Sequence, residues 1–467
     1  MDSPEKEARG ATFPIGDWTA RIILTPTGSV AVDYVDPQGK AHPRIGRDAA
    51  FQRTHKAALD ALKARVTDIE GALREARTRL EQTFRNGRDW SIDDWRERYL
   101  DHPLTRTMAT RLLWHFTLPD GSTFTALGTA PHLTGLDGAT IDLPKGACRV
   151  RLWHPVMADA ATRQAWRARL LELDLRQPLW QLWRPVYELT EPERATTTYS
   201  NRFAGLLLDQ PVFVRILRNR GWVLKSRMMG VPSDAARPAR LALPAFGLVA
   251  EYWGRGAGQV HDGGDYGAPN FEQFATSQIR FYRAGEDSMA AAQPMPLGDV
   301  PRLAFCEAMF DLDIVTGVAT IGFDRAWRDP GPDATPPPRD EYLIDVVWDG
   351  DLTRRTSSEL GKMRAELLQW LVPRLAIADR LRLDGHMLHV RGKWNDYAIH
   401  TANAAVRIIG PNRHVCIVPG TRSDQAGPVP LPFAGDEVLA LVLSKAHMLI
   451  DEDRIKDSDI IQQLSRR

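Results

Sequence analysis

Apolar residues in this chain change their spacing from every second position to every third or fourth within its first ninety residues, and neither an all-helical nor an all-strand fold accommodates both patterns. Residues 12 to 35 alternate, with Trp18, Ala20, Ile22 and Leu24 in one run and Val30, Val32 and Tyr34 in the next. Pro26, Thr27 and Gly28 separate the runs, so the spacing predicts a β-hairpin. From about Asp48 to Phe84 the apolar positions Leu59, Leu62, Val66, Ile69, Leu73 and Leu80 form a helical stripe amid Arg, Lys and Glu. That stripe predicts one long amphipathic helix, or two in succession, lying on a core.

Helix and strand signals continue to alternate downstream. Ser91-Ile-Asp-Asp94 has the form of a capping box, so a helix should start there and end before His102-Pro103, since the residue before proline is biased away from helix. Thr105 to His115, carrying Leu112, Leu113 and Trp114, reads as the next helix. Phe116 to Leu118 and Thr123 to Leu127 flank Pro119-Asp-Gly-Ser122, a turn sequence in which glycine supplies a positive φ, and a second hairpin follows from it. Arg149 to Trp153 reads as a strand before His154-Pro155, and residues 159 to 173 as an amphipathic helix. Thr190-Glu-Pro-Glu193 is another capping box, opening a helix to about Leu208, with a further helix from Pro211 to Arg220. Strand signals dominate from Trp222 to Tyr282, interrupted by the glycine run Gly254-Arg-Gly-Ala-Gly258, which reads as a surface loop. Pro301 to Val315 is helix-spaced.

Asp329 to Pro338 is rich in proline and predicts a stiff spacer. Thr356-Ser-Ser-Glu359 is a third capping box, opening a helix that runs to Pro373. A β-meander between Val390 and Pro419 carries His400 and Asn403 in its central turn, and helices over 436 to 449 and 455 to 464 close the chain. The fold class is therefore α+β: antiparallel β-meanders packed against long amphipathic helices, in several subdomains. The expected organisation is an N-terminal α+β subdomain over 1–160, a central helical then β subdomain over 161–328, a linker over 329–340 and a C-terminal module over 341–467.

At 467 residues the chain exceeds one ordinary core. Sixty Lys+Arg against 59 Asp+Glu give a net charge of +1, which provides no global field toward nucleic acid or an anionic membrane. Cys148, Cys306 and Cys416 are odd in number and far apart, so neither a disulfide framework nor a zinc site is expected, and no metal or cofactor is predicted. The charged N-terminus has no apolar h-region, and no window approaches a membrane helix. A cytoplasmic location follows as the expectation.

Candidate chemistry falls in a few places, each with a structural alternative. Tyr199, Asn201 and Arg202 could clamp a carboxylate or phosphate through the guanidinium fork; otherwise Arg202 pairs with a buried acid such as Glu307 or Asp311. Glu307 and Asp311 share a helical face at four-residue spacing, suited to acid–base work but short of the oxygen ligands a hard metal needs. Structural pairing is the favoured reading of both. His400 with Asn403 and Lys393 is the nearest approach to a catalytic grouping, with Arg391 beside it as a further binding candidate, although a histidine at a strand end is more often structural. Cys416, in an apolar strand, reads as inert. Arg215, Arg218, Arg220, Lys225 and Arg227 form a local basic run beside Trp222 that leaves nucleic-acid binding open but not favoured.

Trp95 to Leu104, Arg111 to Trp114, Leu152 to Pro155, Gln177-Pro178, Tyr187 to Thr190 with Ala195, Thr198 to Ala204, Arg220 to Trp222, Cys306 to Asp313, Arg391 to Pro419, Leu431 to Phe433 and Leu443 to Ala446 form a combination of short segments. In these segments the chain resembles the bacterial MolR-like family, domain of unknown function 4132, with its associated C-terminal module. The resemblance implies a minimal core without the helical repeats or the tryptophan-glycine-arginine module found upstream in longer members. It also implies protein partners, AAA+ ATPases and von Willebrand-type proteins among them. Thr401-Ala-Asn-Ala-Ala405 and Cys306 to Asp311 depart from the family's pattern in ways that remove anion-binding groups. The expected function is a non-enzymatic interaction or scaffold component of a cytoplasmic multi-protein system. The alternatives are an enzyme acting at a cleft formed by Arg202, Glu307, Asp311 and His400, and a nucleic-acid-associated protein.

Overall fold

The computed structural model describes residues 9–465 apart from 26–28, 46–48, 130, 225–237, 262–269, 286–291, 325–326, 330, 332–345, 348–357, 412 and 418–430. The chain forms two compact units, Met1–Arg184 with Leu431–Gly435, and Pro185–Pro430 with Asp436–Arg467. The boundary between the units falls after Arg184, and most of the expected linker over 329–340 lies outside the described residues.

The first unit opens on strands β1 (Arg9–Ile15), β2 (Trp18–Leu24), β3 (Val30–Val35) and β4 (Ala41–His42), paired in that order. β2 alternates as its sequence demands, burying Ala20, Ile22 and Leu24. The expected helix is two, α1 (Ala49–Thr54) and α2 (Lys56–Asn86), broken at His55. Leu62, Ile69, Leu73 and Ala76 of α2 pack on Ile15, Ala20, Ile22 and Leu24, so the helical stripe and the alternating face bury one another. The turn at Pro26 to Gly28 lies outside the described residues.

β5 (Trp90–Ser91) leads to α3 (Ile92–Trp95), where Ser91 Oγ accepts from the Asp94 N–H at 3.1 Å, and one π-helical turn follows over Arg96–Leu100. Beyond it the expectation of a helix from Thr105 to His115 is corrected. Only α4 (Arg106–Ala109) is helical, and Leu113 begins β6 (Leu113–Thr117). The Trp114 indole N–H donates to Ala109 O at 2.9 Å, closing the end of α4, and the Gln181 amide bonds both Leu113 N (2.9 Å) and Leu113 O (2.7 Å). A short apolar run serves either state, and these distant partners select the strand. β7 (Thr123–Thr129) pairs Phe124 with Phe116 across the expected turn, where Gly121 takes φ +84°. β8 (His132–Thr134), β9 (Thr140–Ile141) and β10 (Arg149–Leu152) complete a sheet ordered β5-β10-β6-β7-β8-β9, and α5 (Ala160–Glu172) is capped by Asp159. Trp90, Trp95, Trp114 and Phe116 fill the core beside this sheet.

The second unit starts with α6 (Glu191–Thr196), shorter than the reading to Leu208 because Thr197 at φ 70° ends it. Leu206 to Leu208 belong instead to β11 (Leu206–Asp209), after which Asp209 caps α7 (Gln210–Asn219). β12 (Ala239–Leu243), β13 (Leu248–His261) and β14 (Asn270–Arg283) follow. Gly254 to Gly258 are not a loop, as the glycine run suggested, but strand backbone in β13. Gly254 pairs with Thr276, and a Cβ there would meet the Phe274 ring and come within 2.5 Å of Ala275 O, so glycine allows the close approach of β14.

α8 (Arg302–Ala319), buried along most of its length, runs into β15 (Thr320–Asp324). With β16 (Val346–Val347) the sheet is ordered β12-β13-β14-β11-β15-β16. The cap of α9 (Glu359–Leu371) is Ser358 rather than Thr356, its hydroxyl accepting from Gly361 N at 2.9 Å. The expected meander is a five-stranded antiparallel sheet of β17 (Leu381–Asp384), β18 (Met387–Arg391), β19 (Asp396–His400), β20 (Val406–Ile408) and β21 (Arg413–Val415). α10 (Glu437–Ile450) and α11 (Ser458–Ser465) close the chain.

Candidate functional site

Arg202 sits in the loop between α6 and β11, and its acid is neither Glu307 nor Asp311 but Glu193, the last residue of the capping box. Glu193 Oε1 accepts from Arg202 Nε at 3.0 Å and from Ser200 Oγ at 2.6 Å; Oε2 accepts from Thr190 N at 2.8 Å and from Arg202 Nη2. One carboxylate therefore completes the helix cap and neutralises the guanidinium, which explains how Glu193 can be buried. Arg202 Nη2 donates in addition to Glu188 O at 2.7 Å.

Tyr199 and Asn201 turn to a different carboxylate. Tyr199 OH donates to Asp329 Oδ2 at 2.9 Å and Asn201 Nδ2 to the same oxygen at 3.2 Å. Burial, then the Asp329 bond, push the Tyr199 phenol up to about 12. Asp329 Oδ1 accepts from Gln278 Nε2 at 3.3 Å and Gly331 N at 3.0 Å.

On α8, Asp311 receives the Trp222 indole N–H at 2.7 Å and pairs with Arg220 Nε. Glu307 is completely buried on the same helix. Two residues beyond Asp311, Asp313 Oδ2 accepts from Tyr187 OH at 2.8 Å and from the Leu360 N–H at the start of α9 at 3.1 Å, where the helix's positive end favours a carboxylate. Burial and Asp313 hold Tyr187 well above the usual phenol range, so Tyr187 is the proton donor of that pair. Cys306, bonded to the Tyr187 backbone, is pushed up to about 12 by burial and is a thiol at neutral pH, without the thiolate a nucleophile needs.

His400 ends β19 with its ring buried and Nδ1 accepting from Ala402 N at 3.2 Å, while Asn403 Oδ1 accepts from Ala405 N at 3.0 Å. The turn between them is gripped by two buried cations. Arg364 of α9 donates to Ala402 O at 2.7 Å and pairs in bidentate fashion with Asp436 at 2.8 Å through each nitrogen; Lys445 of α10 donates to Ala404 O at 2.8 Å. Burial lowers the Lys445 pKa from its ordinary value. Lys393 and Arg391 do not join this turn. They lie at the far end of β18, Lys393 on Asp453 (2.7 and 2.8 Å) and Arg391 on Asp379 O (3.2 Å). Next to them Glu452, completely buried, accepts from Asn395 N at 3.1 Å and from Trp394 N and Tyr397 OH.

Arg202, Asp311 and His400 thus belong to separate bonding groups. In the basic run, Arg220 is committed to Asp311, and Lys225 and Arg227 lie outside the described residues. Cys416 is exposed and follows β21 rather than lying in an apolar strand. Sequence reasoning named Tyr199, Asn201 and Arg202 but missed their partners Asp329 and Glu193, and it missed Arg364, Asp436 and Lys445. A charged residue inside the apolar stripe of α9 was the one signal that could have exposed Arg364. Among the described residues no group of three or more His, Cys, Asp or Glu is placed to hold a metal ion, and no helix is long and apolar enough to cross a membrane.

Two family models match separate parts of the chain. Residues 39–222 match the family model described as Domain of unknown function (DUF4132), and residues 361–464 match Domain of unknown function (DUF7737). The α8 carboxylates lie between the two matches. It is similar to "Uncharacterized protein YehI" of Escherichia coli (strain K12), 26% identical over 181 residues, which are 38% of this chain and 15% of that protein. The chain thus corresponds to a small part of the curated relative it matches. No solved structure matches it.

Proposed function

We propose that this protein is a non-enzymatic interaction or scaffold component of a bacterial cytoplasmic multi-protein system, of the MolR-like kind, whose partners include AAA+ ATPases or von Willebrand-type proteins acting in stress or defence. The observation that supports this reading is the use of the candidate polar side chains as internal fasteners. Arg202 closes on Glu193, Asp311 on Arg220 and Trp222, and Lys393 on Asp453, while the His400 turn is gripped by Arg364 and Lys445. A catalytic constellation needs acid, base and nucleophile within reach of one reacting atom, whereas ion-pair networks of this kind hold a surface in shape.

The test is a pull-down of the tagged full chain against the purified products of neighbouring genes, followed by calorimetry on whatever is retained. Retention of a defined partner with a dissociation constant in the micromolar range or below is expected. Retention of none, together with turnover of any substrate class in an activity screen, would overturn the reading.

A further inference from the structure

We propose that Tyr199, Asn201, Gln278 and Arg280 form a carboxylate-binding site that this chain fills in cis with Asp329 and that accepts in trans an acidic segment of a protein partner. The donors and the acceptor are unequal in a telling way. Tyr199, Gln278 and Arg280 are 3%, 2% and 8% exposed and stand on the 199–201 loop and the long strand β14, whereas Asp329 is exposed on a segment of irregular backbone. The donors are also pre-set. Arg280 Nε and Nη2 bond Gln278 Oε1 at 3.0 and 2.7 Å, which fixes the amide so that its NH₂ faces Asp329. Both oxygens of Asp329 are bonded twice, by Tyr199 and Asn201 on one side and Gln278 and Gly331 on the other. That count suits a carboxylate, whose two oxygens offer about four lone-pair positions, whereas an amide would turn its NH₂ toward two of the four donors. Without the Asp329 carboxylate the site would hold a buried phenol with no acceptor and a buried amide left with Gly331 O at 3.1 Å, and the phenol's need gives the site affinity for another carboxylate.

Asp329 is carried close by a second contact, the Trp327 side chain lying over Gly205 where an added Cβ would meet it at 3.5 Å, so a partner's acid competes with a tethered one present at an effective concentration on the order of millimolar. The cis contact therefore acts as a threshold that a partner segment must exceed. This inference deepens the interaction reading by naming the chemistry of the partner, and its test is independent of the pull-down.

The probe is a labelled peptide Trp-Arg-Asp-Pro-Gly, identical to residues 327–331, titrated by fluorescence anisotropy into the full chain. Asp329→Asn is expected to bind it at least about tenfold more tightly than the unaltered protein, because the site is no longer filled by a tethered carboxylate. Asp329→Ser, which removes the carboxylate without adding an amide donor, must behave alike. A peptide with Asn in place of Asp should not bind, and adding Tyr199→Phe to Asp329→Asn should weaken binding again. Equal binding to the altered and unaltered chains, or equal binding of the Asp and Asn peptides, would overturn the proposal. Failure here with a partner retained in the pull-down removes this site and keeps the interaction reading; the reverse outcome keeps the site alone.

Discussion

At the scale of single residues, the charges that matter most are those with no route to water. Arg364 and Asp436 are 3% and 0% exposed on the side chain, joined by two bonds, and Arg364 also holds the carbonyl of Ala402. Removing one member strands the other as an uncompensated buried charge, which costs about 3–5 kcal/mol. Arg364→Met and Asp436→Asn are each expected to lower stability by that amount in urea unfolding. The joint replacement should cost clearly less than the sum; additive losses would show the pair to be energetically uncoupled. Part of the Asp436 cost will persist, since its Oδ1 also caps α10 through Leu439 N at 3.0 Å. Such pairs were only half legible in the sequence. The capping-box pattern disclosed Glu193 as a helix cap, but nothing in the spacing could say that the same carboxylate would receive Arg202, nine residues away, because that geometry depends on the path of the intervening loop.

At the scale of elements, local chemistry reads well where the decisive partner is near. The cap at Ser91 and the reciprocal bonds of Thr190 and Glu193 stand where their residues predict, as does the hairpin around Gly121. Reading fails where the partner is far. Leu113 to His115 could continue a helix by composition, and become strand because β7, β10 and the Gln181 amide claim their backbone. Gly254 to Gly258 look like a loop and instead bring β13 close to β14. Gly254→Ala separates those two descriptions. In a loop the change would be neutral or mildly stabilising, whereas the strand must shift away from Phe274 and Ala275, a loss of about 1–3 kcal/mol. Thermal unfolding followed by circular dichroism reads the difference, and an unchanged midpoint would remove the steric account of this strand pair.

For the whole molecule, chain order and compact unit do not coincide. Leu431–Gly435 belongs with the first unit although it follows most of the second in sequence. Gln177 N bonds Pro432 O at 2.8 Å and Ala434 N bonds Gln177 O at 3.0 Å, while Phe433, completely buried, stacks on Trp180 at 5.1 Å and Trp183 at 6.3 Å. Phe433→Ala should therefore destabilise the N-terminal unit by about 3–5 kcal/mol, as truncation of a buried aromatic does. Peptide-resolved hydrogen exchange, which reads each unit separately, checks this; an effect confined to the C-terminal unit would contradict the division.

The sequence by itself determined the α+β class, the amphipathic helix over the opening hairpin, the helix caps and the C-terminal meander. These follow from periodicity and from bonds spanning three or four residues, which any chain with those residues in that order will favour. Only the tertiary structure decided that Tyr199 and Asn201 hold Asp329, that Arg202 closes on Glu193, that His400 is a pinned turn rather than a catalytic grouping with Lys393, and that residues 431–435 join the first unit. Each of these is a pairing between distant positions. In a buried setting a charge takes whichever partner the packing delivers, and packing is a property of the whole fold that local spacing does not encode.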